Sequence, residues 1–591
     1  MMVTAFDKPL PKNGTAARHG IPIVFGVTGH RDIPLDDVSI LHTAVRDYLR
    51  QDVIAKYPNT RVMFLSALAE GADRLAARAA LEAGCQLGVF LPFSQDEYLK
   101  DFDSEASKKE FLDFIAQAEF VELAQRLPDT DPASRDQGYV AAGVTIARYA
   151  QCLLALWDGI AINKPGGTAD VVRIYRTGIP MPRPMPDDII SALECGPVQH
   201  FLTRRSSNLA AIPAGKIGSR QFLPPMPSER VTDASGLEEQ ERRRWDRIFD
   251  CIDRFNLDAK SLPEHIDVPA YTQGYLISES QVAAQWSEAD GKAQRIARLF
   301  ASADALSMKA QAERWRHFYQ IIALTLMAVF FEQLYSGPFA LPVLLAISIV
   351  WAGFATWQYR RVGKKKLEEK YLDYRTLAEA TRVQFFWRVA GLRDCPADHY
   401  LRDQRDELEW LRQAVRALDL PSKVSAPATN PALGIQIAVT AWVKDQSIYF
   451  LNSATKQAAK ADKFSRQSGR WFFAAICMVM FAVIFHAASN AWFPDINELI
   501  IPSLPVFYGL LFAGSGVIKL YENIMAYQEQ ANRYRKMAAH FGLCNQRLEQ
   551  ALAIGDLAAA QSLLLMIGRQ ALMENAEWLL LHRQRPIEMP L

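Results

Sequence analysis

Four apolar stretches in the C-terminal half of this 591-residue chain limit its fold more than any other feature. They occupy residues 317–335, 339–357, 471–492 and 499–518. A helix needs about 20 mainly apolar residues to cross a bilayer, and each stretch approaches or reaches that length. They form two pairs with short loops, so each pair predicts a transmembrane hairpin. Arg314, Arg316 and His317 precede the first pair, and Arg360, Arg361, Lys364, Lys365 and Lys366 follow it. Arg466 and Arg470 precede the second; Lys519, Arg533, Arg535 and Lys536 follow. The inner loops, EQLYSGPF and SNAWFPDINE, contain no Lys or Arg. By the positive-inside rule both loops face outward and both termini are cytoplasmic. His486 lies near the outer end of the third stretch, where interfacial water would solvate it.

The flanks of the two pairs resemble each other. ADALSMKAQAERWRHFY precedes the first and ADKFSRQSGRWFF the second. Downstream, Tyr374-Arg375 and Tyr534-Arg535 stand about 160 residues apart. This predicts a duplicated unit: a cytoplasmic helix, two spans, then a second long helix. The expected units cover residues 301–420 and 421–591. Residues 206–300 read as a linker, with a Pro-rich joint (FLPPMPSER) and a charged helical run (EEQERRRWDRIFDCIDRF).

Average composition hides this arrangement. Lys plus Arg is 66 and Asp plus Glu is 65, a net charge of +1. That gives no support for a nucleic-acid binder, which shows a basic excess. The seven cysteines form no CxxC pair, so neither a zinc site nor a disulfide framework is expected.

Residues 1–205 differ in kind. Short β-rich runs (IPIVFGV, RVMFLSA, QLGVFLPF, FVELA, CLLALWDG, GPVQHFLTRR) alternate with helical ones (AEGADRLAARAALEAG, GYVAAGVTIARYAQ, GGTADVVRIYRTG). That alternation predicts a doubly wound α/β sheet. Such sheets bind ligands beyond the carboxyl ends of their strands. The unusual residues fall there: Gly29, His30 and Arg31; Ser66, Glu70 and Gly71; Pro92; Trp157 and Asp158; then Gly166, Gly167, Thr168 and Asp170. Gly-Gly-Thr at a helix start offers backbone N–H groups and a hydroxyl to phosphate. Glu70 and Asp170 are candidates for ribose hydroxyls. No Walker-type GxxxxGK[ST], GxSxG or HExxH run is present.

GVTGHRD, SALAEGADRLAA, LPF, LLALWDG and GGTADVVR, in that order, resemble the SLOG superfamily of Rossmann-like nucleotide-binding domains, which includes the LOG phosphoribohydrolases and DprA. The hairpin units, above all YRTLAEATRVQFFW and AWVKDQSIYF, are similar to SLATT two-span modules. The resemblance implies an effector in a bacterial inner membrane that senses a nucleotide second messenger, cyclic or ADP-ribose-like, and perturbs the bilayer during phage defence. LOG enzymes carry PGGxGTxxE; here the run is PGGTADVVR, and Arg173 stands where the catalytic Glu would be. An ever-protonated guanidinium cannot replace that carboxylate. The resemblance therefore implies binding without turnover. Two alternatives stay open: a tethered N-glycosidase using Glu70 or Asp170, and a ligand-free scaffold. Four spans make too small a bundle for a wide pore, so a homo-oligomer is expected. Ala346, Ser348, Gly353, Ala355, Gly509, Ala513, Gly514, Ser515 and Gly516 could serve helix contacts.

Overall fold

A computed structural model of the chain describes residues 20–124, 132–160, 165–178, 195–226, 234–262, 291–339, 341–363, 365–399, 405–422, 431–492 and 503–584. The N-terminal part is a seven-stranded sheet: β1 (Ile23–Gly29), β2 (Val62–Ser66), β3 (Gln86–Leu91), β4 (Phe120–Leu123), β5 (Cys152–Trp157), β6 (Val198–Leu202) and β7 (Arg220–Leu223). The order is β4-β3-β2-β1-β5-β6-β7. β1 to β6 are parallel; β7 runs antiparallel to β6 at one edge. β2 and β5 are buried along their whole length, as strands covered on both faces must be.

Helices α1 (Leu35–Asp47) and α2 (Ala72–Ala83) pack together. So do α4 (Pro132–Tyr149) and α5 (Thr168–Thr177), while α3 (Glu105–Gln117) precedes β4. Successive strand residues face opposite sides. Phe25 meets Tyr48, just beyond α1, whereas a Cβ on Gly26 would meet Ile146 of α4. The α1 and α4 layers therefore cover opposite faces of the sheet.

The segment expected as a linker is structural. It supplies β7 and α6 (Ala234–Lys260). The exposed side of α6 carries Glu238–Arg242 and Glu239–Arg243 pairs, the solvated face its charge density predicts. Its other side buries Trp245, Ile248, Phe249, Ile252 and Phe255. α6 crosses the amino ends of the strands. Asn256 accepts from the Ile21 N–H at 2.8 Å and donates to the Ile21 carbonyl at 2.9 Å and to Thr60 Oγ1 at 3.0 Å. Asp253 accepts from Asn59 and Thr60.

The C-terminal part is all helical: α7 (Gly291–Leu334), α8 (Pro342–Gly363), α9 (Leu367–Val389), α10 (Arg405–Leu418), α11 (Pro431–Ala438), α12 (Asp445–Trp492), α13 (Leu504–Met525), α14 (Tyr527–Ala553) and α15 (Leu557–Gln584). Four helical runs are long and apolar enough to cross a membrane. The first and third apolar stretches are parts of much longer rods. α7 has 44 residues and α12 has 48, about 66 and 72 Å at the helical rise. The second helix starts at Pro342 rather than 339, because a proline without an N–H fits the first turn. The fourth starts at Leu504; residues 499–502 lie outside the described residues.

The two units share a plan. α7 packs on α8 and α9, and α12 packs on α13 and α14. Ser348 Oγ donates to the Ala328 carbonyl at 2.9 Å, and Ser515 Oγ to the Ser468 carbonyl at 3.0 Å. A Cβ on Gly514 would strike Trp471. Several of the small residues thus serve contacts within the chain. The third helix of each unit starts from a left-handed N-cap residue, Lys366 (φ 49°) before α9 or Ala526 (φ 44°) before α14, at matching places in the repeat.

Asn256→Ala should lower stability by about 2–4 kcal/mol, since it strips three buried hydrogen bonds and leaves Ile21 unpaired. A lower unfolding midpoint of the purified full chain, with unchanged helix content by circular dichroism, checks this.

Candidate functional site

The strand order reverses between β1 and β5, so their carboxyl ends flank the topological switch point. Helices α6 and α10 hold the opposite, amino end of the sheet, leaving this edge for loops.

The loop after β1 forms the floor. The His30 N–H donates to the Leu156 carbonyl at 3.0 Å, extending the ladder, and the His30 carbonyl accepts from the first α2 N–H, of Ala72, at 2.9 Å. This close approach needs Gly71. Its φ is +79°, and a Cβ there would lie 2.3 Å from the Arg31 carbonyl oxygen. The His30 ring is buried. Its Nε2 accepts from the Asp158 N–H at 3.0 Å and from Arg205 Nε at 3.3 Å. Burial and the Arg205 charge hold its pKa below 6.5, so the ring is neutral at pH 7. Asp158 also caps Ile160 and pairs with Arg205 at 3.5 Å. His30, expected to hold phosphate, is placed as an internal brace: its Nε2 is within reach of the Asp158 N–H, Arg205 Nε and, at 3.2 Å, the Asp158 carboxylate.

Arg31 is different. It is exposed, and its guanidinium lies 5.0 Å from the centre of the Tyr139 ring. Tyr139 Oη donates to Asp101, which also pairs with Arg135; Arg135 in turn lies over the Phe93 ring at 4.6 Å. Asp73, in the first turn of α2, is buried beside Arg31. Burial pushes its carboxyl from the usual 3.8 up to about 7, against the pull of Arg31, the Ala69 N–H and Arg74. Tyr98 is fully buried against Phe93, Phe102, Phe111 and Tyr139, and its hydroxyl has no hydrogen-bond partner. Trp157 Nε1 is likewise buried without one.

The remaining expected residues lie along the same edge in different roles. Ser66 is buried and accepts from the Leu68 N–H at 3.0 Å. Glu70 accepts from the Ser107 hydroxyl, which also receives Arg74 Nη1 at 2.7 Å. Pro92 is buried, with its carbonyl against Gly138. Gly166 (φ +69°) rests on Tyr139 and Val140, bringing the Gly-Gly-Thr turn beside Arg31. Gly167 is the N-cap of α5 and Thr168 its first residue, half-exposed. Asp170 accepts from the Gly166 N–H at 3.1 Å and pairs with Arg173 at 2.6 Å. Asp170 therefore stabilises its own turn, and Arg173 neutralises it. Arg31 and Gly166 both meet Tyr139, one at its ring and the other at its backbone, while Glu70 is turned to Ser107. Residues 161–164, between β5 and that turn, lie outside the described residues.

The sequence pattern does not single out Arg205, Tyr98, Tyr139, Asp101 or Arg135. The signal for Tyr139 was faint: it sits in GYVAAG, a small-residue run that lets other groups come close. Among the described residues, no group of three His, Cys, Asp or Glu side chains is placed to hold a metal ion.

No family model matches the chain. No curated protein is significantly similar to it.

Gly71→Ala should cost about 3 kcal/mol or more, from the left-handed backbone and the overlap with the Arg31 carbonyl, and lower the unfolding midpoint. Asp73 predicts a pH dependence. In the unfolded chain it ionises near 3.8, but in the folded chain only near 7. Its contribution is therefore complete below pH 3.8 and is lost as pH rises through 7. Unfolding midpoints measured across that window should fall for the native chain and stay flatter for Asp73→Asn.

Proposed function

We propose that the chain is a ligand-gated membrane effector: a Rossmann-like domain senses a nucleotide-derived signal at the switch-point crevice, and two transmembrane hairpins, with termini in the cytoplasm, perturb the bilayer. Defence against phage is the role that the resemblance to SLOG and SLATT modules implies for it. The observation that carries the reading is a half-buried polar joint between the two parts. At the base of α4, Tyr149 Oη donates to Asp419 at 3.0 Å. Asp419 also holds Lys292 Nζ at 2.6 Å, in the first turn of α7, the helix that becomes the first span. Beside it, Arg148 and Arg416 share Asp398. Arg295 of α7 donates to the backbone carbonyls of Leu418, Leu420 and Pro421. α4 therefore reaches from Tyr139, beside Arg31, to Tyr149, beside the first turn of the helix whose later half is read as a span.

A ligand shifts such a joint only if it binds the two states with different affinity. Arg31, the Gly166–Thr168 turn and the N–H groups beside it suit a phosphate. Opening a path for solutes calls for several copies, so the active form is a homo-oligomer.

The test uses the full chain in dye-loaded liposomes with a panel of cyclic nucleotides, ADP-ribose and NAD, and titration calorimetry for binding. A compound that binds should release dye. Binding without release from any panel member would sink the effector reading, and base or ribose products would favour the N-glycosidase. Asp419→Asn should keep affinity within about twofold and reduce ligand-dependent release by about tenfold, because it cuts the joint without touching the crevice.

A further inference from the structure

The repeated units differ most where the second apolar helix leaves the span. Residues 360–366 of the first unit read RRVGKKK; residues 520–526 of the second read LYENIMA, with no Lys or Arg. The backbone is alike at both places, since Lys366 and Ala526 take the same left-handed conformation. The basic run is therefore not what makes the turn. Orientation alone does not account for it either, because both units keep basic residues elsewhere on their inner flanks.

Arg360, Arg361, Lys365 and Lys366 are all exposed. Among the described residues, Glu369 beside them pairs with Lys366 and Glu368 is turned to Arg314. Lys365 Nζ lies 3.4 Å from His317 Nε2, which draws the start of the first span into the same patch. Next to it Trp357 is 50% exposed, with the Arg361 guanidinium 5.2 Å from its ring centre. One to two turns deeper, Phe354 and Val350 are 54% and 68% exposed. An indole between an apolar surface and a cluster of cations matches the headgroup depth of a bilayer, where tryptophan anchors and basic side chains meet phosphate.

We propose that Arg360, Arg361, Lys365 and Lys366, with Trp357, form a docking surface on the first unit for the phosphodiester headgroups of anionic membrane lipids. The proposal rests on reading α7 and α8 as spans. It makes the duplicated units unequal: the first holds acidic lipid, and the second does not.

The full chain, reconstituted into phosphatidylcholine bilayers, tests it with Trp357 emission, isolated as the difference between the native chain and Trp357→Phe. Phosphatidylglycerol brominated in its acyl chains should quench that emission about fivefold more effectively than equally brominated phosphatidylcholine. The preference should vanish near 1 M salt, where the screening length is about 3 Å. It should also vanish in the combined Arg360→Gln, Arg361→Gln, Lys365→Gln and Lys366→Gln variant, and persist in Arg360→Lys with Arg361→Lys. A reporter Ser336→Cys, labelled from outside, shows whether the variants keep their orientation; if the neutral variant inverts, the salt series on the native chain decides alone. Equal quenching by both lipids, or a preference indifferent to salt, overturns the proposal and leaves the spans intact. Absence of quenching by either lipid overturns the spanning reading, and the proposal with it.

Discussion

A backbone in hydrocarbon has no hydrogen-bond partner except itself, so a segment that crosses a bilayer must stay helical throughout. α7 and α12 stay helical and then continue far beyond the apolar stretch. That continuity governs the architecture. A helix in one piece transmits position along its whole length, so whatever grips the N-terminal half of α7 also sets its apolar half. The grip is a buried charge network. Asp304 on α7 accepts from Arg375 on α9, and Arg375 and Arg382 share Glu379. Such groups are weak evidence for stability, because their desolvation offsets much of their attraction. They do require one relative placement of α7 and α9, since a slip of one turn would strand buried charges.

The same repeat has diverged around that need. Tyr374-Arg375 and Tyr534-Arg535 are identical pairs with different surroundings. Tyr374 packs on Phe255 of α6 and donates to Asp258, and Arg375 is buried. Tyr534 instead packs on Phe450, 5.8 Å away, which in turn meets Phe541 at 5.5 Å; Arg535 is exposed and donates to Asn532. The difference follows from position. α9 lies between α7 and the helices that adjoin the sheet, so its polar residues had to be paired internally. α14 keeps an outer face in water and lets an aromatic cluster do the packing.

How much of this was legible depends on the range of the interaction. The apolar stretches and the strand runs were legible because hydrophobicity is local, and even the short β4 showed itself as FVELA. α6 was read as a solvated linker because its charges are dense, although Trp245, Ile248, Phe249, Ile252 and Phe255 repeat at helical spacing. The missed signal was the stripe beneath the charge. β7 escaped because four residues between a turn and two prolines carry little pattern, and it becomes a strand only beside β6. The crevice was legible as a set of strand ends, since those residues follow directly from a parallel sheet. Which of them stay accessible was not. That depends on strand order, which places Arg205 after β6 and Tyr139 of α4 against the loop that follows β1. His30 could not be known as a brace before Arg205 and the Asp158 N–H were placed around it.

A charged joint between two elements behaves differently from an apolar one. An apolar contact loses free energy gradually as surfaces slide, because it is proportional to area. Asp419 behaves otherwise. It must satisfy Tyr149 and Lys292 together, and a shift of an ångström or two breaks at least one of those bonds where water reaches the partners only in part. The contact therefore has few tolerated geometries, and a displaced one must find different partners rather than a stretched version of the same ones. Asp398, shared by Arg148 and Arg416 alongside, has the same property. The pairing thus fixes the base of α4 against the first turn of α7, and under the function proposed above that is where a change at the other end of α4 would be felt.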